Sequence, residues 1–126
     1  MAQHDWVVRK LARHLERAGE SVTADHAPGF RKPQMARGPR GRWYRPDLWL
    51  ERDGTAVEVE PYNALKNSLS QVKAFANDPD VRRTIVVASS GTDRGIARLQ
   101  ALLDRKGISA EVVNWRDLFD SMGITW

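Results

Sequence analysis

Apolar positions recur along this chain with two periods, one helical and one alternating. Val7, Val8, Leu11, Leu15 and Ala18 follow helical spacing and predict a helix over 3–18, with Gly19 as its cap. A short strand is expected over 21–24. Leu48 and Leu50, then Val57 and Val59, alternate with other residues and predict two strands joined through Asp53-Gly54. That dipeptide predicts a two-residue type I′ turn, which sets Arg52 opposite Thr55. Leu50 then faces Val57, Leu48 faces Val59, Trp49 faces Glu58 and Asp47 faces Glu60. Leu48, Leu50, Val57 and Val59 share one face, and Asp47, Glu58 and Glu60 share the other.

Pro61 ends the second strand. Leu65, Leu69, Val72 and Ala76 predict a helix over 64–76, closed by Asn77-Asp78-Pro79-Asp80. Thr84-Ile85-Val86-Val87-Ala88 reads as a strand buried on both faces. Ser89 to Asp93 supply turn and capping residues for a helix carrying Ile96, Leu99, Leu102 and Leu103 and ended by Gly107. A strand over 108–113 and a short helix from Trp115, with Leu118 and Phe119, complete the chain. Strands linked through helices pair in parallel, whereas the hairpin is antiparallel. The expectation is an α/β fold, a mixed sheet flanked by helices, in one domain over residues 1–126.

The 126 residues suffice for one substantial core. No apolar run approaches the ~20 residues of a membrane span, and residues 1–5 lack a signal peptide's apolar stretch. Cysteine is absent, which excludes disulfides and thiolate metal sites. These features are compatible with a cytoplasmic protein.

Net charge is +4, but it is unevenly spread. Arg31, Lys32, Arg37, Arg40, Arg42 and Arg45 lie in one segment without acids, leaving fourteen basic against sixteen acidic residues elsewhere, a balance of −2. Pro33, Gly38, Pro39 and Gly41 make that segment read as a flexible loop, and Trp43 and Tyr44 end it. Such a loop suits phosphate contact and base stacking. Trp6, Trp49 and Trp115 are expected to pack. His4, His14 and His26 lack ligand spacing and read as surface residues. Ser89-Ser90-Gly91-Thr92 lacks the full P-loop pattern and reads as a cap.

Asp47, Glu58 and Glu60 carry the candidate chemistry. Like charges opposed on neighbouring strands, with Cβ atoms about 5 Å apart, destabilise a sheet. Three clustered carboxylates therefore suit either a fully wet face or a bound divalent cation. Magnesium takes such oxygen ligands, completed by water and substrate phosphate.

Pro46-Asp47, then Glu58-Val59-Glu60 beginning 11 residues later, resemble the signature of the PD-(D/E)xK nuclease superfamily. Gln71-Val72-Lys73-Ala74-Phe75 is similar to the Gln-x-x-x-Tyr motif of its RecB-like exonuclease branch, with Phe75 in the tyrosine position. The resemblance spans about residues 3–113. It implies a restriction-endonuclease-like αβββαβ core and a Mg²⁺- or Mn²⁺-dependent DNA endonuclease. It further implies that Asp47, Glu58 and the Val59 carbonyl hold the metal, and that Gln71 orients substrate or water. Glu60 stands where the family usually has lysine. Some restriction endonucleases of the superfamily carry glutamate there, so Glu60 would accept a proton from water or hold a second metal.

On a 64–76 helix, Lys66 and Lys73 fall on the flank opposite Gln71, so neither replaces that lysine easily. Glu16 or Glu20 could match an acid that some relatives, such as Holliday-junction resolvases, carry near the first helix. So short a chain is expected to act as a homodimer, to read DNA structure, or to work beside a targeting partner. Glu60 sustains an alternative, a catalytically inactive nuclease-like module binding DNA through the basic segment. A protein-interaction adaptor without a nucleic-acid role is a third.

Overall fold

A computed structural model describes residues 2–126. In chain order the elements are helix α1 (His4–Arg17), strands β1 (Val22–Ala24) and β2 (Ala36–Arg37), a 3₁₀ turn (Pro39–Gly41) and strands β3 (Trp43–Tyr44), β4 (Leu48–Leu50) and β5 (Thr55–Glu60). Helices α2 (Tyr62–Leu65) and α3 (Leu69–Asn77), strand β6 (Arg83–Ala88), helix α4 (Asp93–Arg105), strand β7 (Glu111–Asn114) and helix α5 (Trp115–Met122) follow. Five strands form one mixed sheet in the order β1-β4-β5-β6-β7. β1, β4 and β5 pair antiparallel, and β5, β6 and β7 pair parallel. This is the α/β architecture that the alternation of strands and helices implies.

Each face of the sheet carries its own core. Val7, Val8, Leu11 and Ala12 of α1 pack with Leu48, Val57, Val59, Val87, Trp115 and Phe119 on one face. On the other, Val72 of α3 and Ile96, Leu99 and Leu103 of α4 pack over Val86, Ala88 and Val112. Beside them lies a smaller cluster of Ala36, Trp49, Ala56 and Phe75. Trp6, Trp115 and Phe119 meet with ring centroids 5.4–5.7 Å apart.

Four expectations are corrected. The β4–β5 loop is not a two-residue type I′ turn, because such a turn needs positive φ at both central residues. Gly54 adopts φ 67°, but Asp53 keeps a negative φ. The connection is the four residues 51–54, closed by the Gly54 amide donating to the Leu50 carbonyl (2.9 Å). The Gly54 carbonyl is in turn taken by the amides of Arg82 and Arg83 at the start of β6. Leu50 therefore pairs with Thr55, Trp49 with Ala56 and Leu48 with Val57. Extended one step, this register opposes Asp47 to Glu58 rather than to Glu60. The slip is two residues, so every side chain keeps its expected face.

The 64–76 helix is two helices. At Asn67 and Ser68 the amides turn to carbonyls three residues back, and the Ser68 hydroxyl donates to the Ala64 carbonyl (3.1 Å), competing with regular helix. Lys66 thus lies outside α3. Finally, the basic segment is not a featureless loop. β2 and β3 pair across the 3₁₀ turn, and this ribbon seats on α3 through Ala36 and Tyr44. The Tyr44 ring lies against Gly38, where any Cβ would collide with it. The last strand also begins later than expected, since Ile108 is buried in the turn ahead of β7.

Candidate active site

Asp47 enters β4 directly after Pro46, and Glu58 lies opposite it on β5. Both point to the α3 face, with Trp49 and Ala56, at the end of the sheet where β5 and β6 finish. Asp47 is 6% exposed and Glu58 1%. Ionised carboxylates buried this deeply need a partner or a metal. Asp47 has three partners. Its Oδ2 accepts the Val59 amide (2.7 Å), its Oδ1 lies 3.0 Å from His4 Nε2, and its carboxyl hydrogen-bonds that of Glu58. Glu58 Oε2 accepts a hydrogen bond from the Gln71 side-chain amide.

The carboxyls titrate apart. Burial, then the adjacent Asp47, pushes the Glu58 carboxyl well above its usual range, which favours its protonated form. Burial would raise Asp47 as well, but the hydrogen bonds from His4 and Glu58 overcome it and hold Asp47 below the usual carboxylate range. Half-buried Glu60 is raised, by burial first and then by the charge of Asp47. His4 is raised to about 9, chiefly by its hydrogen bond to Asp47. A cation at a helix N-terminus opposes the helix dipole, and Asp47 and Asp5 (2.7 Å from His4 Nδ1) offset that cost.

The donor set fits a divalent cation. Two opposed carboxyls repel when both are ionised, and a dication would remove that repulsion. In an extended strand the N–H and C=O of one residue point to the same side. The Val59 carbonyl therefore faces the same side as the Val59 amide that Asp47 accepts. Asp47, Glu58, Val59 and Gln71 are thus gathered as expected, and Glu60 sits at their outer edge.

Other expected residues scatter. Arg40 and Arg42 line a groove of about 470 Å³ with Tyr44 and Ser70, the residue before Gln71. Arg37 lies over the Trp43 ring at 5.9 Å, and Trp43 is 57% exposed. Lys32 is exposed. Arg45 donates to the Pro33 carbonyl (3.1 Å), tying the two limbs of the segment together. Arg31 pairs with Glu51 (3.4 Å), four residues along β4 from Asp47 and hence about 13 Å away. Glu16 and Glu20 lie at the far end of α1, roughly 18 Å of helix from His4, and do not join the carboxyls. Lys73 is exposed and lines a separate groove with Leu69, Ser70, Lys106 and Ile108.

Two site residues escape sequence reasoning. His4 and His26 are not the isolated surface residues expected. Their rings meet edge-on, 5.2 Å apart, and both offer a ring nitrogen toward Asp47. They stand 22 positions apart with no spacing signal. The pairing of β1 with β4 joins them, continued by the Asp25 amide donating to the Asp47 carbonyl (2.9 Å).

No protein-family model, curated protein or solved structure matches this chain. Among the described residues, no helix is long and apolar enough to cross a membrane.

Proposed function

We propose that this chain is a Mg²⁺-dependent DNA endonuclease domain of the PD-(D/E)xK type, with Mn²⁺ as an alternative cation. The observation that carries the reading is the buried Asp47–Glu58 pair, flanked by the Val59 backbone and held by Gln71. The succession α1, β1, β4, β5, α3, β6 supports an αβββαβ core, with the β2–β3 ribbon inserted between its first two strands. The sheet end that holds the carboxyls is also where α/β sheets generally bind ligands.

Asp47 and Glu58 would hold the metal with the Val59 carbonyl. When bound, such a cation acidifies a water and neutralises charge on the phosphorus centre. Gln71 fixes the Glu58 carboxyl. Glu60, half-buried and with its pKa raised, is suited to take a proton from the attacking water. Lys66 and Lys73 are exposed, Lys73 lines a separate groove, and His4 is the cation against Asp47. Arg40 and Arg42 would receive backbone phosphates next to Gln71, and Trp43 offers an exposed ring for stacking.

Glu60 in the lysine position favours a second reading, a DNA-binding module without cleavage. Supercoiled plasmid incubated with Mg²⁺ or Mn²⁺ separates the two. The nuclease reading expects nicking that falls at least about 100-fold in Asp47→Ala and Glu58→Ala. Salt-sensitive DNA binding without cleavage under either metal supports the second reading, and absence of both rejects the two together.

A further inference from the structure

We propose that His26, His4 and Asp47 form a second metal position, a two-histidine, one-carboxylate site for a transition dication such as Zn²⁺ or Co²⁺. It shares Asp47 with the carboxylate position but stands on its own geometry, whether or not the chain cuts DNA. One ligand atom from each of the three residues lies within 4.8 Å of the others, close enough for a single ion to span them. Imidazole nitrogen favours zinc-like cations over magnesium, whereas the all-oxygen Asp47–Glu58–Val59 set favours magnesium. The two positions therefore differ in the metal they select.

The surroundings of the histidines are those of metal ligands. Asp5 Oδ1 lies 2.7 Å from His4 Nδ1, which turns Nε2 toward Asp47. A carboxylate behind a ligating histidine fixes the ring and raises its basicity, and this is the usual outer partner of a metal-bound imidazole. Asp25 lies near His26 too, 3.7 Å from its Nε2 and beyond hydrogen-bond reach. Asp5 and Asp25 also add negative charge around the dication. His26 has a φ of 56°, in the left-handed region where histidine, asparagine and aspartate are enriched among non-glycine residues. The Asp25 carboxylate accepts the His26 amide (3.0 Å) and helps hold that conformation. The His26 side chain is 48% exposed, so coordination positions on that side stay open to water or to a phosphate oxygen. The three residues come from α1, the segment after β1 and the start of β4, so the ion would clasp α1 to the sheet.

The test is a Co²⁺ titration of the whole chain, followed by visible absorbance, with Zn²⁺ calorimetry beside it. The wild-type chain is expected to bind one equivalent. His26→Asn, a residue that tolerates positive φ, should weaken binding by about tenfold or more. Glu58→Gln should leave Zn²⁺ affinity within about threefold while weakening Mg²⁺. A direct readout needs no variant: Zn²⁺ should shift the ring resonances of His4 and His26 and leave those of His14 in place. No Co²⁺ binding, equal affinity in His26→Asn, unmoved His26 signals, or Zn²⁺ binding lost in Glu58→Gln would each overturn the site. DNA cleavage enters none of these readouts, so failure of the nuclease reading and failure of this one are distinguishable.

Discussion

The two faces of the sheet do different work. The face under α1 and α5 is mainly apolar, with Leu48, Val57, Val59 and Val87 beneath Val7, Val8 and the Trp6–Trp115–Phe119 cluster. The face under α3 gives up the same kind of positions to Asp47 and Glu58, which are buried as deeply. Apolar burial returns about 25 cal/mol per Å², whereas a buried carboxyl returns stability only through partners. Both faces supply apolar burial, and the α3 face offsets part of its share by holding two carboxyls where a cation and a phosphate could meet them.

Four substitutions put that contrast to the test. Phe119→Ala empties the apolar face beneath Trp6 and Trp115 and should cost about 3–5 kcal/mol in chemical denaturation. A loss under about 1 kcal/mol would mean that face does not dominate stability.

Glu58→Gln should have the opposite sign at alkaline pH. His4 and Glu58 hold their protons more tightly in the fold than in the unfolded chain. Their contribution is complete at low pH and is lost as pH rises, from 6.5 through about 9 for His4 and above 4.5 for Glu58. Asp47 runs the other way, contributing above 3.8 and losing that stability as pH falls through its lowered pKa. Metal-free protein should therefore lose stability between pH 6.5 and 9. Glutamine mimics protonated Glu58, so this variant should match wild type near pH 5 and exceed it at pH 9 in urea titrations. Parallel pH curves for the two proteins would rule out the raised pKa of Glu58.

The smallest effect belongs to the basic ribbon. Arg42→Ala should weaken DNA binding and lower its salt slope by about one. Arg31→Ala, tied to Glu51 away from the carboxyls, should change the slope less. Equal slopes for the two would remove the groove beside Ser70 from the DNA path.

The hairpin shows why the faces were legible in the sequence and the partners were not. Alternation has a period of two, so Asp47, Glu58 and Glu60 fall on one face in either register. Which carboxyls oppose each other depends on the loop, and the loop depends on Arg82 and Arg83 binding the Gly54 carbonyl. Gln71 was legible because α3 keeps its phase over its own nine residues, even though the longer helix breaks ahead of it. The ribbon's order was not, since Ala36 and Tyr44 reveal their role only against Phe75.

By itself the sequence determined the α/β class, the apolar stripes, the shared face of the three carboxylates and the concentration of positive charge between Arg31 and Arg45. All of these follow from local periodicity and composition. The tertiary structure alone decided that Glu58 is the carboxyl opposed to Asp47, that burial beside Asp47 raises its pKa, and that His4 and His26 converge on Asp47. Each of these depends on contacts between residues far apart in the chain and on the water those contacts exclude, and neither is written in any local pattern.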